Sequence, residues 1–203
     1  MLVFVATHGT ARTQDTVGHL NYVLTHDTDP SNEDKLYGSA LPMIDISDIV
    51  RSRIQAQRTV ILLDTCHSEG AGAALLRAAA PSRDMMEGMK AGVGRAIIAA
   101  SGEKQRSYES DTFENGIFTH FLVEGLKQQS GKAPLSSIFA YLEQQVPKTA
   151  KSERNADQVP VMFRSDPGSE IVIGAESSPG LAWSTPLMRR AAPAWILPCA
   201  QQP

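Results

Sequence analysis

Three short stretches of the chain are apolar at nearly every position: Leu2 to Ala6, Thr59 to Asp64 and Ala96 to Ala100. They are too short for buried helices and rich in valine, isoleucine and leucine, so they read as strands covered on both faces. Between them the apolar spacing changes. Ile46 to Ala56 carries apolar residues at 46, 49, 50 and 54, with Ser47 or Asp48 near the start, which predicts a helix. Asn115-Gly116 opens a second helix with apolar residues at 117, 118, 121, 122 and 126, and Pro134 opens a third that runs to about Val146. Leu20 to Leu24, Val159 to Phe163 and Ile171 to Ile173 read as shorter strands. Residues 10–19 and His26 to Asp34 read as loops, and 70–94, rich in alanine, glycine and methionine, as broken helix around a mobile loop. Alternation of strand and helix predicts an α/β fold, a three-layer α-β-α sandwich around a mostly parallel sheet.

The last stretch has no such pattern. Residues 175–203 hold five prolines in their final 25 positions and two tryptophans among alanines, the composition of a disordered tail outside a core domain of residues 1–174. Charge narrows the function classes. The formal net charge is −3 with both signs interspersed, so no basic stripe offers a surface to nucleic acid or membrane. No apolar run approaches the length of a bilayer span. Two cysteines, Cys66 and Cys199, cannot build a disulfide framework, and no signal sequence is visible, so a cytoplasmic location is expected.

In a parallel α/β sheet, functional groups collect at the carboxyl ends of the strands. Here those ends read Thr7-His8-Gly9, Asp64-Thr65-Cys66 and Ser101 to Glu109. If the first two strands are neighbours, His8 and Cys66 face each other across a cleft. An imidazole can then take the thiol proton and leave a nucleophilic thiolate. Gly9 lets its N–H approach a developing oxyanion together with the N–H of Cys66. His67 is a rival base, although adjacent residues at a strand end point in different directions. A zinc site from His8, Asp64, Cys66 and His67 lacks paired-ligand spacing, and no metal site is expected.

Thr7-His8-Gly9 resembles the Ser-His-Gly element of caspase-like peptidases. Asp64-Thr65-Cys66-His67-Ser68 resembles the Asp-Ser-Cys-His-Ser-Gly element of their metacaspase and bacterial orthocaspase branch. The separation of His8 and Cys66, 66 − 8 = 58, is close to the roughly fifty typical of caspases. Residues 100–109 and Asn115-Gly116-Ile117-Phe118-Thr119 are similar to the strand and helix of the family's small-subunit half, and the likeness covers residues 2–174. It implies a cysteine endopeptidase with a His8/Cys66 dyad and no required cofactor. There are two departures. Glu69 stands where the family has glycine, and the chain starts on the histidine strand, without the strand, helix and strand that normally precede it.

The resemblance also bears on specificity. Caspases that accept aspartate use a glutamine two residues before the cysteine, together with arginines. This chain has Asp64 at the first of those positions and Glu109 near one of the others, with Ser107 and Tyr108 beside it. Two carboxylates reverse the preference, implying protein or peptide substrates with Arg or Lys before the scissile bond. Arg77, Arg83, Lys90 and Arg95 are then self-cleavage candidates, Arg83 and Lys90 first among them. Many metacaspases need calcium, but the acidic stretch from Asp27 to Asp34 lacks the glycine and terminal glutamate of an EF-hand loop and reads as a solvated loop. The apolar run Leu2 to Ala6, with no upstream strand, implies an edge open to a partner chain or to self-association. Two alternatives stand: a catalytically silent caspase-like scaffold, and another His/Cys peptidase of the legumain or separase type.

Overall fold

A computed structural model describes residues 1–12, 21–66, 83–91, 94–102, 105–168 and 170–173. Its elements, in chain order, are β1 (Leu2–Ala11), β2 (Asn21–Val23), α1 (Glu33–Ser39), β3 (Leu41–Pro42), α2 (Met43–Ser52), β4 (Thr59–Cys66), α3 (Arg83–Met89), β5 (Arg95–Ala99), α4 (Ile117–Lys127), α5 (Leu135–Arg154) and β6 (Val161–Arg164). The six strands form one sheet in the order β3-β2-β1-β4-β5-β6. β1, β4 and β5 run parallel at its centre, while β2, β3 and β6 pair antiparallel at its flanks. The parallel part is thus the three apolar runs, and the short flanking strands make the sheet mixed.

Alternation of side chains sorts each central strand between two layers. Ile61, Leu63, Ile97 and Ala99 pack with Met43 and Val50 of α2 and with Met86 and Met89 of α3. Val60, Leu62, Ala96 and Ile98 pack on the other face with Ile117, Phe118, Phe121 and Leu122 of α4 and with Leu135, Ile138, Leu142 and Val146 of α5. Each fully buried Leu or Ile contributes about 1.5–3 kcal/mol. Double coverage explains why these strands read as unbroken apolar runs.

β1 departs from that pattern. Val3 and Val5 pack into the α2/α3 layer, but on the other face Leu2 and Phe4 are 48% and 47% exposed. The strand is covered on one side only, against the expectation of two. Its partner over residues 2–8 is β4, and β2 engages only Gly9, Thr10 and Ala11. Residues 9–11 are therefore strand where a loop is expected from residue 10, and Thr10 is fully buried there.

Other boundaries shift for identifiable reasons. The acidic loop ends at Asn32, which caps α1 by accepting the Lys35 N–H at 3.0 Å, and Leu36 and Tyr37 bury the helix against Tyr22. Within the loop, the Ser31 hydroxyl, the Ser31 backbone N–H and Lys35 hold the Asp29 carboxyl down at about 2. α2 opens at Met43, three residues before the expected start, directly after Pro42. Residues 171–173 form a single bridge, Pro134 to Val172, and not a strand. Arg83 opens α3, so the bond after it lies in a helical turn, whereas Lys90, paired with Glu87, follows the end of α3 and the bond after it lies outside the helix. Arg77 and the tail 175–203 lie outside the described residues.

α5 continues two turns beyond Val146, through Pro147, because its apolar face continues as Val146 and Ala150 at helical spacing. Asn155, in the left-handed conformation at φ 48°, ends it. A proline at that depth removes one backbone hydrogen bond. Pro147→Ala is expected to raise the unfolding free energy by about 1–3 kcal/mol, measured by urea denaturation. An unchanged midpoint would mean the helix has already absorbed the proline by bending.

Candidate active site

The two residues expected to form a dyad stand directly opposite each other. In the parallel pairing of β1 with β4 the register runs from Leu2 against Val60 to His8 against Cys66. Neighbouring strands lie about 4.8 Å apart, so the backbones of residues 58 positions apart in sequence become adjacent at one end of the sheet. The Thr7 hydroxyl donates to the Leu24 carbonyl at 2.6 Å, and the Leu24 N–H donates to the His8 carbonyl at 2.9 Å. His8 is thus fixed between β4 and the chain leaving β2. Alternation puts His8 on the same face of β1 as Phe4, the α4/α5 side. Gly9 is buried and pairs with Val23. His67 and Glu69 lie outside the described residues.

Asp64 is 2% exposed, on the α4/α5 face two residues before Cys66. Ser107 donates its hydroxyl to Asp64 Oδ1 at 2.7 Å, and Thr119, in the first turn of α4, donates to Oδ2 at 2.6 Å. The carboxylate therefore joins β4, the segment after β5 and the start of α4. Glu109 belongs to the same neighbourhood. It forms an isolated antiparallel bridge with Gly116, and the Ile117 N–H donates to the Tyr108 carbonyl at 2.9 Å. A Cβ built on Gly116 would lie 3.5 Å from Asp64 Oδ2 and 3.7 Å from Glu109 Oε1. The two carboxylate oxygens are consequently within about 7 Å of each other, the sum of those distances. Of the expected pocket residues, Asp64, Ser107 and Glu109 come together. Tyr108 joins through its backbone, while its ring packs against the α4/α5 core.

A group that no sequence signal pointed to holds this segment. Gln158, fully buried, donates to Ser107 Oγ at 3.1 Å and to the Ala100 carbonyl at 3.2 Å, and accepts the Tyr108 N–H at 3.0 Å. Gln105 reaches back to accept the Val159 N–H at 2.8 Å. Arg154 donates Nε and Nη2 to the Glu109 carbonyl and Nη2 to Asp111. Glu153 accepts from the Ser110 hydroxyl, the Asp111 N–H and the Thr112 hydroxyl. Gln158 and Thr119 lie in stretches whose apolar pattern marks only a strand start and a helix. Their roles come from tertiary contacts.

Among the described residues no group of three or more His, Cys, Asp or Glu side chains is arranged to hold a metal ion, and no helix is long and apolar enough to cross a membrane. The family model for the caspase domain matches residues 1–171. A crystal structure of a protein from Geobacter sulfurreducens is similar at 18% identity and a TM-score of 0.51, over 82% of this chain and 66% of that one. Caspase-1 from Spodoptera frugiperda is similar at 15% identity and a TM-score of 0.47, over 87% of this chain and 64% of that one. This chain spans slightly less than two thirds of either. Comparison with curated proteins gives no match.

Burial pushes the Glu153 carboxyl up, but the hydrogen bonds from Ser110, Asp111 and Thr112, with Arg154 beside it, hold it below its ordinary 4.5. A carboxyl depressed by folding contributes stability above its unfolded pKa and loses that contribution as pH falls through the folded value. Glu153→Gln should therefore cost about 1 kcal/mol at neutral pH, and wild type and variant should converge as pH drops below 4.5. Denaturation midpoints at several pH values measure this, and a gap that persists in acid would contradict it.

Proposed function

The chain belongs to the caspase-domain family, and from that premise we propose that it is a cysteine endopeptidase of the metacaspase or orthocaspase type, cutting after arginine or lysine. The observation that carries the proposal is the register of His8 against Cys66 at the carboxyl ends of two parallel strands. In the reaction, Cys66 Sγ bonds to the scissile carbonyl carbon as its proton passes to the His8 imidazole. The tetrahedral oxyanion is met by the N–H groups of Gly9 and Cys66. Collapse breaks the C–N bond, and His8 returns the proton to the leaving amine. Water then attacks the thioester, giving a proton to His8, and the acid leaves as the thiol is restored. The reaction so written draws on no cofactor.

Asp64 and Glu109 support the basic preference, because two carboxylates around one glycine favour a cationic side chain. The substrates are then proteins or peptides, and the cytoplasm is the proposed location. The exposed Leu2 and Phe4 beside the outer edge of β1 support a second proposal, that a partner strand or another copy of the chain pairs along residues 2–6. A silent family member is the rival reading. It is favoured by Asp64, whose two oxygens both take hydroxyls from within the chain and so bind the start of α4 whether or not a substrate arrives.

Cys66→Ala should abolish cleavage of an arginyl reporter peptide, and His8→Ala should lower it by orders of magnitude, with Cys199→Ala neutral. Asp64→Asn should reduce kcat/KM for arginyl substrates about ten- to a hundred-fold, the worth of one charge-assisted hydrogen bond. A wild-type enzyme that cuts only after aspartate would sink the basic preference. Full activity in Cys66→Ala would sink the nucleophile.

A further inference from the structure

The core on the α4/α5 side of the sheet stops abruptly at one strand. Val60 and Leu62 of β4 are 4% and 2% exposed there, while Leu2 and Phe4, which stand beside them in register on β1, are 48% and 47% exposed. Ala6, the next residue on that face, is exposed as well. Leu2, Phe4 and Ala6 thus form an apolar stripe that continues the buried core with no layer described over it. The stripe is distinct from the open backbone edge of the same strand, because side chains close a face and hydrogen bonds close an edge.

The point at which the described chain ends bears on what covers this stripe. The Leu135 N–H donates to the Ile171 carbonyl at 2.7 Å, Val172 bridges to Pro134, and Ile171 and Ile173 pack into the α4/α5 core. The chain therefore leaves the domain beside the start of α5, on the same side of the sheet as the stripe. The far end of α5 reaches the Glu109 carbonyl through Arg154, at the carboxyl ends of the strands. A helix of 20 residues is about 30 Å long, so its start lies toward the amino ends, where β1 opens with Leu2. Beyond Ile173 come 203 − 173 = 30 residues. Extended chain spans about 3.3 Å per residue, whereas β1 and β5 are two strand spacings, about 10 Å, apart. Reach is no obstacle.

Two segments of those residues are apolar. Leu181 to Met188 is interrupted by Ser184-Thr185-Pro186 and followed by Arg189-Arg190, while Ala194-Trp195-Ile196-Leu197 is unbroken. The stripe suits a tethered occupant better than a free one. Three side chains on one strand offer far less than the roughly 800 Å² per partner of a standard interface. A segment of the same chain needs less, because the tether raises its effective concentration. We infer that Ala194 to Leu197 folds back onto the α4/α5-side face of β1 and covers Leu2, Phe4 and Ala6, with Trp195 as the anchor. The tail then supplies the second layer that β1 lacks.

The only tryptophans of the chain are Trp183 and Trp195, so in Trp183→Phe protein the indole fluorescence reports on this segment alone. Its emission should be blue-shifted relative to a free tryptophan peptide and shielded from iodide. Phe4→Glu, at a position already half open to water, should shift that emission to the red and restore quenching while the circular dichroism of the domain stays unchanged. Location is read separately. In Cys66→Ala protein the one remaining thiol is Cys199, two residues past Leu197, and a benzophenone attached there should cross-link on illumination to residues 1–6. Emission that is red and fully quenchable from the start would overturn the inference. So would blue emission that Phe4→Glu leaves in place, or cross-links that fall elsewhere on the domain. Cross-links joining an unlabelled copy to an isotopically heavy one would assign the face to a second molecule of this chain and overturn it equally. No readout here involves hydrolysis, so the outcome is independent of the peptidase proposal.

Discussion

Burying a carboxylate is costly unless its oxygens are hydrogen-bonded, and Asp64 is a carboxylate at the end of the central strand with 2% of its surface exposed. The surrounding structure is organised to meet that demand. Ser107 and Thr119 supply hydroxyl donors from the turn after β5 and from the first turn of α4. Ser107 is in turn fixed by Gln158, whose amide also engages the Ala100 carbonyl and the Tyr108 N–H. Three segments that are remote in sequence thereby converge on one side chain two residues before the candidate nucleophile. Removing a donor would leave a buried oxygen short of a partner, at a cost of roughly 1–3 kcal/mol, and would free the turn that carries Glu109.

The other constraint is register. β1 and β4 are joined in parallel, and a slip of one residue would send every side chain of β1 to the opposite layer. Val3 and Val5 belong with Met43 and Val50 in the α2/α3 layer, which fixes the alternation. A two-residue slip would keep the faces but bring Ala6 or Thr10 opposite Cys66 in place of His8. The antiparallel clasp of Gly9, Thr10 and Ala11 with β2, together with the Leu24 N–H bond to the His8 carbonyl, opposes that slip. The pairing of His8 with Cys66 therefore depends on β2, a strand of three residues that contributes no chemistry of its own.

The centre of the fold was legible because its signals are local. An apolar run of five or six residues means a strand, and apolar residues three and four apart mean a helix, so β4, β5 and α4 come out of the sequence nearly at their true ends. The errors fall where tertiary contacts override local preference. The helix opened by Pro134 reads as running to about Val146, yet burial of Val146 and Ala150 carries α5 on through Pro147. Thr10 reads as loop, yet pairing with Tyr22 makes it strand and buries it. Leu2 and Phe4 read as core, yet half their surface is exposed, because an apolar letter says nothing about whether a helix stands over it. The site divides the same way. His8, Asp64 and Cys66 are visible at strand ends, and Ser107 and Glu109 through family likeness. Gln158, a glutamine just before β6, carries no pattern until the chain has folded over it.

The division has a consequence for how the two halves of the site behave. His8 and Asp64 stand on strands of the parallel centre, where opening requires breaking sheet hydrogen bonds and exposing core. Ser107 and Glu109 stand on a turn held by side chains: Gln158 and Gln105 from one side, Glu153 and Arg154 from the end of α5 on the other. Regions held by side-chain bonds and exposed backbone open at lower free energy than core strands. Arg154 and Glu153 lie in the last turn of α5, beyond Pro147, so the rigidity of the turn that carries Glu109 depends on two helical turns that continue past a residue which weakens the helix. Fraying at that end would release the Glu109 carbonyl and the turn from Ser110 to Thr112 while leaving the register of His8 and Cys66 untouched. In such a fold the candidate dyad and the candidate pocket residues are anchored separately, and under the proposed function substitutions near the end of α5 would alter selectivity without touching His8 or Cys66.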